Sequence, residues 1–278
     1  MHDYTGTTAL VTGASKGLGA AYARELARRG AHLVLLARSS DALHELAGRI
    51  REERPVQHPV RVEVIAADLS ERDAPRTVAD ELAARGLSVD LLVNNAGMGS
   101  VGPFLDRPLE PNVRSVDVNV TALIGLTHVL GAEMLARGHG GIINVASTAA
   151  FQPMPYQASY AATKAFVLSF SEALAEELRG TGVRVMAAHP GATDTGFFDG
   201  TTATMHPNVA DSPKGVAART LDDFARGRSV SYPGRGFGSR PTTWVPRLLP
   251  RGAVTRVTGE LNRKLGFDDV RDVDAAAS

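Results

Sequence analysis

The sequence predicts an α/β fold: a single doubly wound (Rossmann) parallel sheet with helices on both faces and a short C-terminal helical extension. Three observations carry this. Short apolar runs alternate with amphipathic stretches from the N-terminus to about residue 191. The runs are apolar almost throughout, as expected of strands buried on both faces. A glycine cluster stands between the first run and the first amphipathic stretch. Strand–helix alternation means βαβ units, whose crossovers are right-handed and therefore cover both faces of the sheet.

The elements follow in order. TALVTG (8–13) is a buried strand running into a glycine turn. Residues 17–29 place Leu18, Ala21, Tyr22 and Leu26 on one side of a helix and arginines on the other. A strand at 32–38, a helix at 40–54, a strand at 60–70, a helix at 72–86 and a strand at 90–97 come next. A longer helix lies within 111–137, followed by a strand at 141–147, a helix at 157–180 and a strand at 183–191. No linker or repeat interrupts this series, so residues 1–266 are expected to form one domain. It would include a substrate loop near 191–212 and an extension near 233–266, with 267–278 a loose tail.

Composition narrows the function. Lys+Arg and Asp+Glu are 30 each, so no net charge points to nucleic acid. The absence of cysteine excludes disulfides, thiol nucleophiles and cysteine-held metals. The start, MHDYTGTTALVTGAS, has no basic segment followed by a long apolar run, so no signal peptide is expected. No unbroken apolar stretch reaches the roughly 18 residues of a membrane span. A cytoplasmic protein is expected. The eight histidines show no HExxH or other ligand spacing, so no metal is expected, and no G-x-S-x-G elbow marks a serine hydrolase.

TGASKGLG (12–19) places Gly13, Gly17 and Gly19 between a strand and a helix. Glycines there let the backbone approach a pyrophosphate, and the helix N-terminus supplies free N–H groups and partial positive charge. An acid about 20 residues beyond such a loop would hold the adenosine ribose hydroxyls. This sequence has Arg38, Ser39 and Ser40 instead, with Lys16 inside the loop. Cations and hydroxyls without an acid suit a 2′-phosphate, so NADP (NADPH) is expected over NAD.

YQASYAATK (156–164) sets a lysine four residues after a tyrosine. Only Lys16, Lys164, Lys214 and Lys264 are lysines in this arginine-rich chain, so Lys164 marks a place for a compact ammonium. On a helix, Tyr160 and Lys164 project side by side. A free phenol, with a pKa near ~10, is a poor base at neutral pH. A neighbouring ammonium is expected to lower that value and make Tyr160 a working general acid–base.

With these motifs in order, the sequence resembles the classical short-chain dehydrogenase/reductase family over roughly residues 5–195. The resemblance implies a cofactor loop of Gly13, Ser15, Lys16, Gly17, Leu18 and Gly19, with Arg38 and Ser39 beyond it. It implies Asp68 and Leu69 (AADLS) at the adenine, and Asn95, Ala96 and Gly97 (NNAG) beside the cofactor. Pro190, Gly191, Thr193 and Thr195 (PGATDT) would border the nicotinamide. Asn119, Ser147, Tyr160 and Lys164 match the family's catalytic set. Ser147 would orient the carbonyl and stabilise oxyanion charge. Asn119 would hold a water that relays protons to Lys164, and Lys164 would also bond the nicotinamide ribose. Homodimers or homotetramers paired through the helices near 112–136 and 157–180 are implied as well.

Phe151, Met154, Tyr156, Phe197, Phe198 and Met205 are expected to wall a substrate pocket. Cations are nearly absent from these loops, so a small hydrophobic carbonyl compound or alcohol suits them better than a charged acid. Residues 226–264 hold eight arginines and Lys264 against one acid, Glu260. That segment reads as an extension packing over the cleft or on a partner subunit, ahead of a membrane-contacting surface. The function expected is an NADP-dependent oxidoreductase; the alternative is an NADP(H)-binding sensor or scaffold without turnover.

Overall fold

The computed structural model describes residues 4–53, 60–196, 201–203, 210–234 and 241–271. Its strands are β1 (Thr8–Thr12), β2 (His32–Ala37), β3 (Val62–Ala66), β4 (Leu91–Asn94), β5 (Gly140–Val145), β6 (Val183–Ala188) and β7 (Val230–Ser231). They pair in parallel throughout, in the order β3-β2-β1-β4-β5-β6-β7. The helices are α1 (Gly17–Arg28), α2 (Ser40–Glu52), α3 (Ala74–Ala84), α4 (Leu109–Val116), α5 (Ala122–Arg137), α6 (Ala158–Glu177), α7 (Pro213–Ala225), α8 (Pro241–Leu248) and α9 (Arg251–Lys264).

Strands and helices expected up to residue 191 are present, with ends shifted by a few residues. Two elements lie beyond that reading, α7 and β7. α7 carries a plain start signal: the Ser212 hydroxyl accepts from the Gly215 N–H at 3.2 Å, and Pro213 occupies the first turn. β7 is two residues long, too short for any periodicity to show.

One apolar cluster lies on each face of the sheet. The first packs Val11, Leu35 and Ile143 under α1, α2 and α7. The second packs Leu10, Leu36 and Ile142 under α3 and α5. Alternate residues of the same strands serve opposite faces, which is why the strands read as continuously apolar. Helix Leu109–Arg137 is long and apolar enough to cross a membrane by length and composition. It packs along α3, β4 and β5, so its inner face belongs to the core. A π turn, Asp117–Thr121, interrupts it between α4 and α5.

The centre of the sheet also holds a polar ladder. Asn94 donates to Thr127 at 3.0 Å and to Asn144 at 2.9 Å, and Asn144 donates to Ser171 at 2.9 Å. All four side chains are buried. The ladder ties β4 and β5 to α5 and α6. Each group left unpaired there costs about 1–3 kcal/mol. Asn144→Leu, which removes one hydrogen-bond partner from the Asn94 amide and one from the Ser171 hydroxyl, is expected to lower the melting temperature by several degrees, measured by calorimetry.

Candidate active site

In open α/β sheets the crevice lies beyond the carboxyl ends of the strands, where strand order reverses. Here that point is between β1 and β4, and a cleft of about 1270 Å³ opens there. Gly13, Ser15, Lys16, Gly17, Leu18, Gly19, Arg38, Ser39, Asp68, Leu69, Asn95, Ala96 and Gly97 border it. So do Tyr160, Lys164, Pro190, Gly191, Thr193 and Thr195.

The phosphate end is built from backbone. α1 has no side-chain cap at its N-terminus and no acid in its first turn, so its first N–H groups are open to an anion. Gly13 and Gly17 have positive φ, 65° and 56°. At Gly19 a Cβ would stand 2.1 Å from the Gly13 carbonyl oxygen, so no side chain fits. β4 closes the loop from below: the Thr12 hydroxyl accepts from the Asn95 and Ala96 N–H groups at 3.0 and 2.8 Å, and Asn95 donates to the Thr12 carbonyl at 2.9 Å. These features fit a dinucleotide pyrophosphate.

At the outer end, Arg38 is exposed beside the cleft, and Ser39 caps α2 by accepting from the Ala42 N–H at 3.4 Å. Partial burial would raise the Asp68 carboxyl, but hydrogen bonds from the Ser70 N–H and hydroxyl and the charges of Arg114 and Arg38 outweigh it and lower it. Arg114, on α4, pairs with Asp68 and also borders the cleft. Sequence reasoning missed Arg114, because nothing local marks a helix arginine as facing a loop 46 residues away.

The inner end gathers the expected catalytic side chains. α6 sets Tyr160 and Lys164 one turn apart, with the Lys164 amine 5.8 Å from the centre of the Tyr160 ring. The amine donates to the Val145 carbonyl at 2.8 Å. The Tyr160 and Ser147 hydroxyls are hydrogen-bonded, and the Ser147 oxygen also accepts from the Ala149 N–H at 3.1 Å. Asn119 lies behind the cleft wall, in the π turn, buried. Its amide spans the chain after β4, accepting from the Met98 N–H at 2.9 Å and donating to the Met98 carbonyl at 2.8 Å. It also donates to Thr163 of α6 at 2.9 Å. Asn119 thus holds the cleft floor against α6. At Gly97 a Cβ would stand 3.4 Å from the Lys164 amine, so that glycine keeps the space around the amine open.

The charge balance differs from the sequence expectation. The Tyr160 phenol is raised rather than lowered: burial disfavours the phenolate, and the Ser147 hydrogen bond offsets it only partly. Burial also pulls the Lys164 ammonium down, to about 8. Desolvation sets the direction for both groups.

The substrate end also differs. Of the expected wall residues, Met154 borders the cleft. Phe151 turns away, its ring 4.9 Å from that of His189 and 4.8 Å from the Arg247 guanidinium. Tyr156 backs the wall instead of forming it. Its φ is +68°, and its ring joins Val101, Phe267 and Val270 in a small cluster. Phe197, Phe198 and Met205 lie outside the described residues. Leu261, Asn262, Leu265 and Phe267 supply wall that the sequence reading did not assign. Asn262 donates to the Pro155 carbonyl at 2.8 Å, and Gly259 lets α9 approach the Pro155 ring. Phe267 and Val270, at the start of the segment expected to be a loose tail, are buried.

Residues 7–206 match the family model for short chain dehydrogenases. The chain belongs to the short-chain dehydrogenase family. It is 37% identical to a short chain dehydrogenase of Pseudocercospora fijiensis over 73% of this chain and 66% of that one. It is 33% identical to the very-long-chain 3-oxoacyl-CoA reductase of Anas platyrhynchos over 88% of this chain and 79% of that one. The match with the fungal relative thus spans about two thirds of that relative's length. Among solved structures, a short-chain dehydrogenase from Sphingobium yanoikuyae in complex with NADPH superposes with a TM-score of 0.75. It is 33% identical and covers 98% of this chain and 99% of that one. The bulky-bulky ketone specific alcohol dehydrogenase from Comamonas testosteroni gives 0.73 at 33% identity, covering 97% of each chain.

His189 precedes the Pro190–Gly191 segment of this short-chain dehydrogenase and is fully buried. Burial lowers it to about 4. The Ser147 backbone partly favours its charged form, yet neither ring nitrogen completes a hydrogen bond. In the unfolded chain the imidazole titrates near ~6.5. As pH falls through the window from 6.5 to 4, the unfolded state takes up this proton first, so stability is lost over that window. The loss attributable to His189 amounts to up to about 3 kcal/mol. Urea unfolding across this range is expected to show a shallower acid limb for His189→Gln than for the unaltered protein.

Proposed function

We propose that this chain is an NADP(H)-dependent oxidoreductase interconverting a hydrophobic ketone or aldehyde and its alcohol, with Tyr160 as general acid and base. One observation carries the reading: the hydrogen-bonded Tyr160 and Ser147 hydroxyls, beside a buried amine, stand at the inner end of a cleft whose outer end suits a dinucleotide phosphate. A nicotinamide cofactor held in this cleft would supply or accept the hydride. The protein's part is proton handling and orientation. Ser147 holds the substrate oxygen. Tyr160 is protonated at neutral pH, the form that donates to a carbonyl oxygen becoming an alkoxide. Lys164 sits within reach to stabilise the phenolate left behind, and a bound positive nicotinamide would add to that in the oxidative direction.

NADP over NAD is supported by the exposed Arg38 and by the absence of a carboxylate at the end of β2. The NADPH complex of the Sphingobium relative supports the same choice. An apolar substrate is supported by Met154, Leu261, Leu265 and Phe267 along the wall. The duck relative is named for a very-long-chain 3-oxoacyl-CoA and the Comamonas relative for bulky-bulky ketones, both carbonyl compounds. In this reading residues 1–266 act as one catalytic domain with α8 and α9 as its extension. Exposed Val113, Val116, Ile124, Leu135 and Phe166 support pairing into a homodimer or homotetramer through α4, α5 and α6. The cysteine-free sequence supports a reducing, cytoplasmic setting.

Tyr160→Phe is expected to lower turnover of a ketone panel by on the order of a thousandfold while NADPH fluorescence titrations stay unchanged; residual turnover near the original rate would remove Tyr160 from the chemistry. In the same titration NADPH is expected to bind at least roughly tenfold more tightly than NADH, with Arg38→Ala closing most of the gap. Equal affinity for the two cofactors would overturn the NADP assignment.

A further inference from the structure

The inner face of α9 is turned to the body of the protein: Val254, Gly259 and Asn262 are buried, and Gly259 and Asn262 meet the Pro155 turn. Its outer surface and that of α8 are not covered among the described residues. Trp244 (61% exposed), Leu248 (80%) and Val257 (66%) stand in solvent, with Leu249, Leu261 and Leu265 also exposed. Val257, Leu261 and Leu265 recur every four residues, so they form one stripe along α9. Leu261 and Leu265 in that stripe border the cleft as well, so the apolar surface runs without a break into its mouth.

Charge accompanies this surface. Residues 241–265 carry Arg247, Arg251, Arg256, Arg263 and Lys264 against Glu260 alone, in a chain with no net charge. Arg247 leans on Phe151 and Arg263 toward the Tyr156 hydroxyl. Asp268 and Asp269 follow α9, and Arg251, Arg256 and Lys264 remain for the outer surface. The exposed apolar face of α4 and α5 is different: Glu110, Asp117 and Glu133 accompany its bases, as expected of a self-complementary protein interface. Bulky apolar side chains including tryptophan, interleaved with a strong excess of bases, match the headgroup layer of an anionic bilayer.

We infer that the outer surface of α8 and α9 docks on an anionic lipid bilayer, with the mouth of the cleft turned toward the lipid. The insertion is shallow. Pro246 lies inside α8 and Pro250 precedes α9, so the segment makes two short helices lying along the surface. Only the orientation of the mouth rests on the proposed reaction, through the apolar carbonyl substrate that such an entrance would admit; the docking itself does not.

The test uses the full chain and sedimentation with vesicles of phosphatidylcholine alone and of phosphatidylcholine mixed with phosphatidylglycerol. Binding is expected to the mixed vesicles only, and to weaken as salt is raised. Arg251→Glu combined with Arg256→Glu is expected to lower the partition coefficient by on the order of tenfold or more. Trp244→Ser combined with Leu248→Ser is expected to do likewise, while Leu135→Ser on α5 leaves it unchanged. Failure to sediment with mixed vesicles, equal binding to both kinds, or indifference to the arginine changes would each overturn the proposal. So would dissociation of an oligomer by Trp244→Ser and Leu248→Ser in lipid-free buffer, which would assign the surface to a second copy of the chain. NADPH titration of the same samples separates the two readings: NADPH binding without vesicle binding sinks the docking alone, and vesicle binding without NADPH binding sinks the proposed reaction.

Discussion

The hydrogen bond from the Lys164 amine to the Val145 carbonyl fixes the working geometry of the molecule. It pins the first half of α6 to the carboxyl end of β5. Ser147 leaves that same strand end two residues later, and Tyr160 sits one helical turn before Lys164. The meeting of the two hydroxyls follows from this single anchor. The anchor in turn needs its supports: the Asn94–Asn144–Ser171 ladder behind it, Asn119 bridging Met98 to Thr163, and the open space at Gly97.

An ammonium held against one carbonyl in a buried position is poorly solvated. The same enclosure that depresses the lysine also keeps the phenol neutral. Both groups are therefore set by dehydration, with the Ser147 hydrogen bond acting against it at Tyr160. A nicotinamide ring entering the cleft would exclude more water and, when oxidised, add positive charge next to the phenol. The cofactor would then be part of the electrostatics that tune Tyr160.

Much of this arrangement was legible in the sequence because it is local. The glycine loop, the missing acid after β2 and the four-residue spacing of Tyr160 and Lys164 each lie within one turn or one strand end. What escaped was set by distant contacts. Arg114 reaches Asp68 from another element, and Leu261 and Leu265 come to the cleft from the far end of the chain. Phe151 had the composition of a pocket wall, but the turn after Ser147 aims it at His189. The expected lowering of the Tyr160 phenol failed for a related reason. Spacing shows which charges are neighbours, while burial, which decided the outcome, depends on the whole packed structure.

The π turn at Asp117–Thr121 has a geometric corollary. Such a turn contains one residue more than the α turn it replaces, so the helix before it and the helix after it are out of phase by about 100°. α4 aims Arg114 toward the nucleotide end while α5 aims Leu126 and Leu130 at the sheet, and the extra residue sets the phase between the two. Excising a single residue from this stretch would rewind the rod and swing one half about its own axis. The chain would grow shorter by one amino acid and lose either its core face or its coenzyme face.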